Sequence, residues 1–225
     1  FTSNEAIGTP TVTFTSGSPA QAATNDDVVA NPSDGNTYTA TYTVDADDTD
    51  GAVGFSISFS DTAGNAGVAV TAVTDSSAVT VDTTAPSIDA IATTDFDWGA
   101  VLNSSESASA QDVEISTTGV ENGQTITLTL NNNGGSASAT VTNNTAIVSI
   151  SSDILSGLTH DATYAFTANV SDAAGNEATE VTSADFTVDT SAPTVSFVTS
   201  TTENGTYKAG DEIVIKVTFN TIVNV

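Results

Sequence analysis

Apolar and polar positions alternate along most of this chain, in short runs. Tyr38, Ala40, Tyr42 and Val44 share one face of 37–44. Ile126, Leu128 and Leu130 do so along 124–130, and Tyr164, Phe166, Ala168 and Val170 along 163–170. A period of two predicts half-buried β-strands. No segment sustains a helical period. The runs are separated by clusters of Asn, Gly, Asp and Ser, the residues that turns require. The abundance of Thr, Val, Ser and Ala and the low aromatic content suit thin β-structure.

Between 85 and 190 the pattern divides into seven strands, near 87–92, 112–117, 124–130, 136–142, 146–150, 163–170 and 181–188. The expected core contains Phe166, Leu128, Val141, Ile147 and Phe186. Seven short strands at this spacing predict a two-sheet antiparallel sandwich of the immunoglobulin-like type. The Cys pair and the buried third-strand Trp of antibody domains are absent. Trp98 falls between the first and second strands and is expected to pack locally rather than to mark the core.

The chain repeats itself. Val81-Asp82-Thr83-Thr84-Ala85-Pro86 has a near copy at Val188-Asp189-Thr190-Ser191-Ala192-Pro193, an offset of 107 residues. Asp61-Thr62-Ala63-Gly64-Asn65 returns as Asp172-Ala173-Ala174-Gly175-Asn176, an offset of 111. Phe219 and Phe1 stand in similar passages, two periods apart. Motifs recurring in one order at nearly one spacing define a structural unit. The expected organisation is all-β, tandem immunoglobulin-like β-sandwich domains joined head to tail. Residues 1–84 form the C-terminal part of one repeat, 85–190 a complete repeat, and 191–225 the N-terminal part of a third. The sequence reads as a slice of a longer array.

Charge narrows the function. There are 28 acidic residues against two lysines and no arginine, a net charge of −26. Phosphate binding needs Lys or Arg, so nucleic acid is excluded as a partner. An anionic membrane surface is disfavoured for the same reason. No run of 18 apolar residues is present, so no helical span or membrane insertion is expected. With no cysteine there is no disulfide or thiol chemistry. Self-repulsion of this size destabilises a compact state, and cations relieve it. An acidic, salt-adapted surface without a specific site also accounts for the charge.

The carboxylates are unevenly placed. Strand parity sends the loops after the second, fourth and sixth strands to one pole and the others to the opposite pole. Around the first linker this gathers Asp45, Asp47, Asp48 and Asp50 from one loop, and Asp82 from the linker. Glu121, Asp172 and Asn176 come from loops of the next repeat. Around the second linker the corresponding set is Asp189, Asp153, Asp161, Asp95 and Asp97. Two carboxylates about 4 Å apart repel by roughly 4 kcal/mol at an effective dielectric near 20. Ca²⁺ relieves this, taking six to eight oxygen ligands in irregular geometry. Zn²⁺ would want Cys or His, and His160 is the only histidine. The loop is not an EF-hand, since Ala46 and Ile57 fall where ligands belong. Asp also closes turns through its own backbone, and that alternative stays open for Asp61, Asp172 and the 45–50 cluster.

Together the motifs resemble the bacterial immunoglobulin-like repeats of giant cell-surface adhesins, the extender domains of RTX and biofilm-associated adhesins. The carriers are Val-Asp-Thr-Thr/Ser-Ala-Pro at 81–86 and 188–193, and Ser-Asp-x-Ala-Gly-Asn at 60–65 and 171–176. Asp95-Phe96-Asp97-Trp98-Gly99 and Asn204-Gly205-Thr206-Tyr207-Lys208-Ala209-Gly210-Asp211 add to them. The resemblance implies an extracellular, cell-surface stalk whose linkers are stiffened by Ca²⁺, with Asp82 and Asp189 as linker ligands. Its partners would be the neighbouring repeats of the same chain. A polar stretch at 21–35 departs from the pattern.

A mechanical spacer is therefore expected. The alternative is an immunoglobulin-like binding module that contacts surface glycans or a neighbouring fibre through edge strands. It lacks the expected cluster of exposed aromatics. An enzyme is not expected: His160 stands without Cys or Arg beside Asp161. Paired acids can hydrolyse glycosides, but here similar acids recur at each linker, as a structural element would.

Overall fold

The computed structural model describes residues 1–17, 36–91, 96–132 and 134–223, with the backbone alone at 21–22 and 27–30. It divides into two compact units. One comprises Phe1–Ser87 with Thr118–Gln124 and Ser171–Ala178; the other comprises Ile88–Thr117, Thr125–Val170 and Thr179–Val225.

The first unit contains β1 (Thr11–Ser16), β2 (Gln21–Ala22), β3 (Asp27–Ala30), β4 (Tyr38–Thr41), β5 (Gly51–Ala52), β6 (Gly54–Ser58) and β7 (Thr80–Val81). β1 is the centre of an antiparallel sheet in the order β2-β1-β6, with Phe14 opposite Phe55. β3 pairs β4, and β5 pairs β7. Val12, Tyr38, Ile57 and Val81 are buried. The alternation expected over 37–44 stops at Thr41, and Val44 is exposed.

Then follow β8 (Ser87–Ile91), β9 (Val101–Asn103), α1 (Ser104–Ser107), β10 (Gln111–Thr118), β11 (Thr125–Leu130), β12 (Gly135–Thr140) and β13 (Thr145–Ile150). After them come α2 (Ser152–Ser156), β14 (Thr163–Tyr164), β15 (Phe166–Asn169), β16 (Val181–Thr182) and β17 (Phe186–Asp189). One sheet runs β13-β10-β8, and a second runs β12-β11-β15-β16. A third sheet runs β14-β17-β9, and β9 lies parallel to β17. This is an all-β immunoglobulin-like sandwich, and each of the seven expected strands has its counterpart. β18 (Val195–Ser200) and β19 (Ile215–Phe219) form an antiparallel hairpin.

The inward faces follow the predicted parity with one exception. Leu128, Val141, Phe166 and Phe186 are at most 1% exposed. Ile147 is 60% exposed. In β13 the inward positions are Ala146, Val148 and Ile150, and one shared parity forces Ile147 outward. Trp98 also departs from expectation. It is buried, stacks on Phe96 at 4.8 Å and meets Phe186 edge-on at 5.4 Å, so it belongs to the core.

A strand that changes partners recurs in both units. β14 pairs β17, whereas β15, one residue further on, pairs β11 and β16. β5 pairs β7, whereas β6, also one residue on, pairs β1. The intervening residues, Val53 and Ala165, mark the crossing from one sheet to the other. This crossing brings the loop before β5, and the loop before β14, alongside the end of the last strand.

Candidate functional site at the linkers

The first linker leaves β7 as Asp82-Thr83-Thr84-Ala85-Pro86. Pro86 fixes its own φ and biases Ala85 toward extended backbone. Asp82 closes a short turn, its Oδ1 accepting the Thr84 amide at 3.2 Å. The loop before β5 then takes hold of the linker. Asp50 Oδ1 accepts the Thr83 amide at 2.6 Å and the Thr83 hydroxyl at 2.8 Å, and Oδ2 accepts the Thr84 hydroxyl. The Thr84 hydroxyl, followed by the Thr83 amide and hydroxyl, holds the Asp50 carboxyl below the usual carboxylate range. Gly51 has φ +136°, and a Cβ there would lie 2.8 Å from Gly17 Cα, so the turn that aims Asp50 requires glycine.

Asp45 and Asp48 order the rest of that loop. Asp48 Oδ2 accepts the Asp45 amide at 2.8 Å, and Asp45 Oδ1 accepts the Asp47 amide at 2.9 Å. Asp47 and Asp50 are exposed; Asp45, Asp48 and Asp82 are half-buried.

The loops at 118–124 and 171–178, which belong to the same compact unit, also meet the linker. Asp172 is buried, and its Oδ1 accepts the amides of Gly175 and Asn176, each at 2.8 Å. The Asn176 side-chain amide donates to Asp172 Oδ2 at 2.9 Å and to the Asp82 carbonyl at 3.1 Å, using both its protons. Burial pushes the Asp172 carboxyl up. The Asn176 side chain and the amides of Asn176, Gly175 and Ala174 outweigh burial and hold it below its ordinary value. Glu121 Oε2 accepts the Ala173 amide at 2.9 Å. The earlier copy is built alike: Asp61 Oδ1 accepts the amides of Ala63 and Asn65, and Asn65 donates to Oδ2. One motif thus makes one turn twice, and in the second copy it also grips the linker.

The second linker repeats the arrangement with another side chain. Asp189 Oδ1 accepts the Ser191 amide at 3.2 Å, as Asp82 does two residues ahead. The holding residue is His160. Its Nδ1 accepts the Thr190 amide at 3.2 Å, and its Nε2 lies 2.9 Å from Ser191 Oγ. Asp161 follows with φ +63°, the left-handed position that Gly51 takes in the first unit. Asp153 is exposed in the first turn of α2, where negative charge meets the positive end of the peptide dipoles. Asp97 is exposed in the turn after Phe96. Asp95 lies outside the described residues.

The structure therefore links Asp50, Asp82, Asp172 and Asn176 through one hydrogen-bonded set around the first linker, with Glu121 joined through Ala173. Among the described residues no three His, Asp or Glu side chains are gathered as a metal-holding group. The donors around the first linker are carboxylate, amide and main-chain oxygens, so in kind they fit a hard cation. Sequence reasoning missed Thr83, Thr84, Thr190 and Ser191, and it considered His160 only as a lone histidine beside Asp161. The signal was available: Asp50 and His160 stand 110 residues apart, one repeat period.

No family model matches the chain, and no curated protein sequence does. Several solved structures are similar. A bacterial immunoglobulin-like domain from the M. primoryensis ice-binding adhesin is 30% identical over 46% of this chain and 95% of its own length, with a TM-score of 0.31. The repeats of this chain are similar to bacterial immunoglobulin-like repeats of large adhesins. A Ca²⁺-stabilized adhesin with which an Antarctic bacterium binds ice is 28% identical over 85% of this chain, with a TM-score of 0.41. A 1.5-MDa bacterial ice-binding adhesin is 27% identical over 84% of this chain, with a TM-score of 0.39. The chain spans 42% and 55% of the lengths of the last two. Among the described residues no helix is long and apolar enough to cross a membrane.

Proposed function

We propose that this chain is a spacer segment of an extracellular, cell-surface adhesin. Its immunoglobulin-like repeats, with boundaries near 84 and 190, carry a binding domain away from the cell, and Ca²⁺ at the linkers stiffens the array. The role is mechanical rather than catalytic, and the partners are the neighbouring repeats. The observation that carries this reading is the recurrence of one linker held in one way. Asp82-Thr83-Thr84 and Asp189-Thr190-Ser191 are both fixed to the loop before the sheet-crossing strand. A segment built only to be flexible has no need of such contacts.

Ca²⁺ would draw its oxygens from Asp45, Asp47, Asp48, Asp50, Asp82, Glu121, Asp172 and Asn176 at the first linker. At the second it would use Asp153, Asp161 and Asp189, with Asp95 and Asp97. The cation supplies compensation for crowded negative charge. The residues themselves supply the shape, since Asp172 and Asn176 already set the direction of one loop and Asp82 that of the linker.

Thermal unfolding tests the calcium part. A ligand at a hundred times its dissociation constant adds about 2.7 kcal/mol per site, and extracellular modules bind Ca²⁺ at about 10⁻⁴–10⁻³ M. Chelator should lower the melting temperature, and millimolar Ca²⁺ should restore it further than equal Mg²⁺. Equal rescue by about 0.5 M NaCl, which screens charge beyond a few ångströms, would assign the effect to screening instead.

A further inference from the structure

We infer that each linker is locked to the repeat it leaves by a side-chain latch that operates without metal, and that Asp50 and His160 are the same latch in two chemistries. This rests on the reading of the chain as a spacer and adds a second source of stiffness to it. Three coincidences carry it. The two residues are one repeat period apart. Each precedes a left-handed residue, Gly51 at φ +136° and Asp161 at φ +63°, which aims it at the linker. Each engages the same two linker positions: the main-chain amide of Thr83 or Thr190, and the hydroxyl of Thr84 or Ser191.

The chemistry explains why two unlike side chains serve. The latch needs one acceptor for an amide and a second polar atom about 2 Å away for a hydroxyl. A carboxylate offers two oxygens and an imidazole two nitrogens at that separation. His160 accepts through Nδ1, so the neutral ring carries its proton on Nε2 and donates to Ser191 Oγ. At Asp50 the hydroxyls donate instead. The Asp50 bonds are charge-assisted and the His160 bonds are not, which makes the first latch the stronger. The hydroxyl position tolerates Thr or Ser, as the two linkers show. The ring also lies near two carboxylates, 3.4 Å from Asp161 and 3.7 Å from Asp189, so the second linker keeps its acidic surroundings.

Amide hydrogen exchange on the full chain in excess chelator tests the latch, because any calcium contribution is then removed. Asp50→Ala should speed exchange of the Thr83 amide about tenfold, as expected for loss of a charge-assisted bond, and leave Thr190 unchanged. His160→Ala should speed Thr190 by about threefold to tenfold and leave Thr83 unchanged. His160→Asp, which installs the first latch in the second linker, should keep Thr190 protected. Protection of the Ile57 amide in the first unit and of the Val148 amide in the second reports that each variant is folded, and the two alanine variants test the two linkers separately. Equal Thr83 exchange in folded wild type and Asp50→Ala, or equal Thr190 exchange in wild type and His160→Ala, would overturn the inference. Such a result leaves the calcium-dependent melting shift untouched. Absence of that shift leaves the latch result untouched.

Discussion

Phe186→Ala is expected to remove about 3–5 kcal/mol of stability from the sandwich, the usual cost of emptying an aromatic core site. Phe186 is 1% exposed, and its ring lies 5.4–6.1 Å from those of Phe96, Trp98, Tyr164 and Phe166. Those five rings join the connection after β8 to β14, β15 and β17. A chain with only 6% aromatic residues has concentrated five of them at one point. Loss of the central ring leaves a cavity that its neighbours fill poorly, and ring pairs contribute beyond the area they bury. Trp98→Phe should be far milder. The Trp98 indole Nε1 is buried without a hydrogen-bond partner among the described residues, so that substitution keeps the stack and removes a donor that they leave unsatisfied. Denaturant unfolding of the three proteins separates the effects. A Phe186→Ala loss below about 1 kcal/mol would contradict the assignment of this cluster as the core.

Asp172→Ala should cost about 1–3 kcal/mol, because Asp172 is buried and its loss strands part-buried donors rather than trimming a surface charge. The Asp172 carboxylate accepts three hydrogen bonds that shape the 171–178 loop, and the Asn176 amide it orients reaches the Asp82 carbonyl. The pH dependence follows from the direction of the shift. The folded-state pKa lies below the ordinary aspartate value of about 3.9. The contribution is therefore fully present above that value and is lost as pH falls through the lower folded-state one. Wild type should lose stability more steeply than Asp172→Ala across this acid window, and the two curves should run parallel near pH 7. Parallel curves throughout would mean that the carboxylate is not held by these donors. Asp61, half-buried in the corresponding turn of the earlier copy, should matter less, since water replaces part of what alanine removes.

The strands were legible because half-burial writes itself as alternation, and Leu128 with Phe166 fixes the parity of the middle of the sandwich. Ile147 was misassigned because Ala146-Ile147-Val148 is apolar on both faces. Parity there is decided downstream, at Ser149 and Ile150. β9 was invisible: three residues cannot display a period, and its pairing with β17 is parallel and more than 80 positions away. The helices α1 and α2 are too short for periodicity and were not foreseen. Asn103 and Glu106 form a capping box, and Ser151 caps α2. At the linkers, repetition exposed Asp82 and Asp189 because the residue type is kept. It concealed the latch because the type changes from Asp50 to His160 while the position does not. Charge counting found carboxylates and passed over the hydroxyls and amides they hold.

The central claim is that Ca²⁺ stiffens the linkers of a spacer, and small-angle X-ray scattering of the full chain tests it most directly. Asp82 is half-buried in the linker, outside the buried core, so Asp82→Ala should leave the units folded. The maximum dimension should be greatest for wild type in millimolar Ca²⁺. It should shorten in chelator, with a broader distance distribution, and Asp82→Ala in Ca²⁺ should resemble the chelated wild type. Identical maximum dimensions in all three conditions would contradict a calcium-stiffened linker.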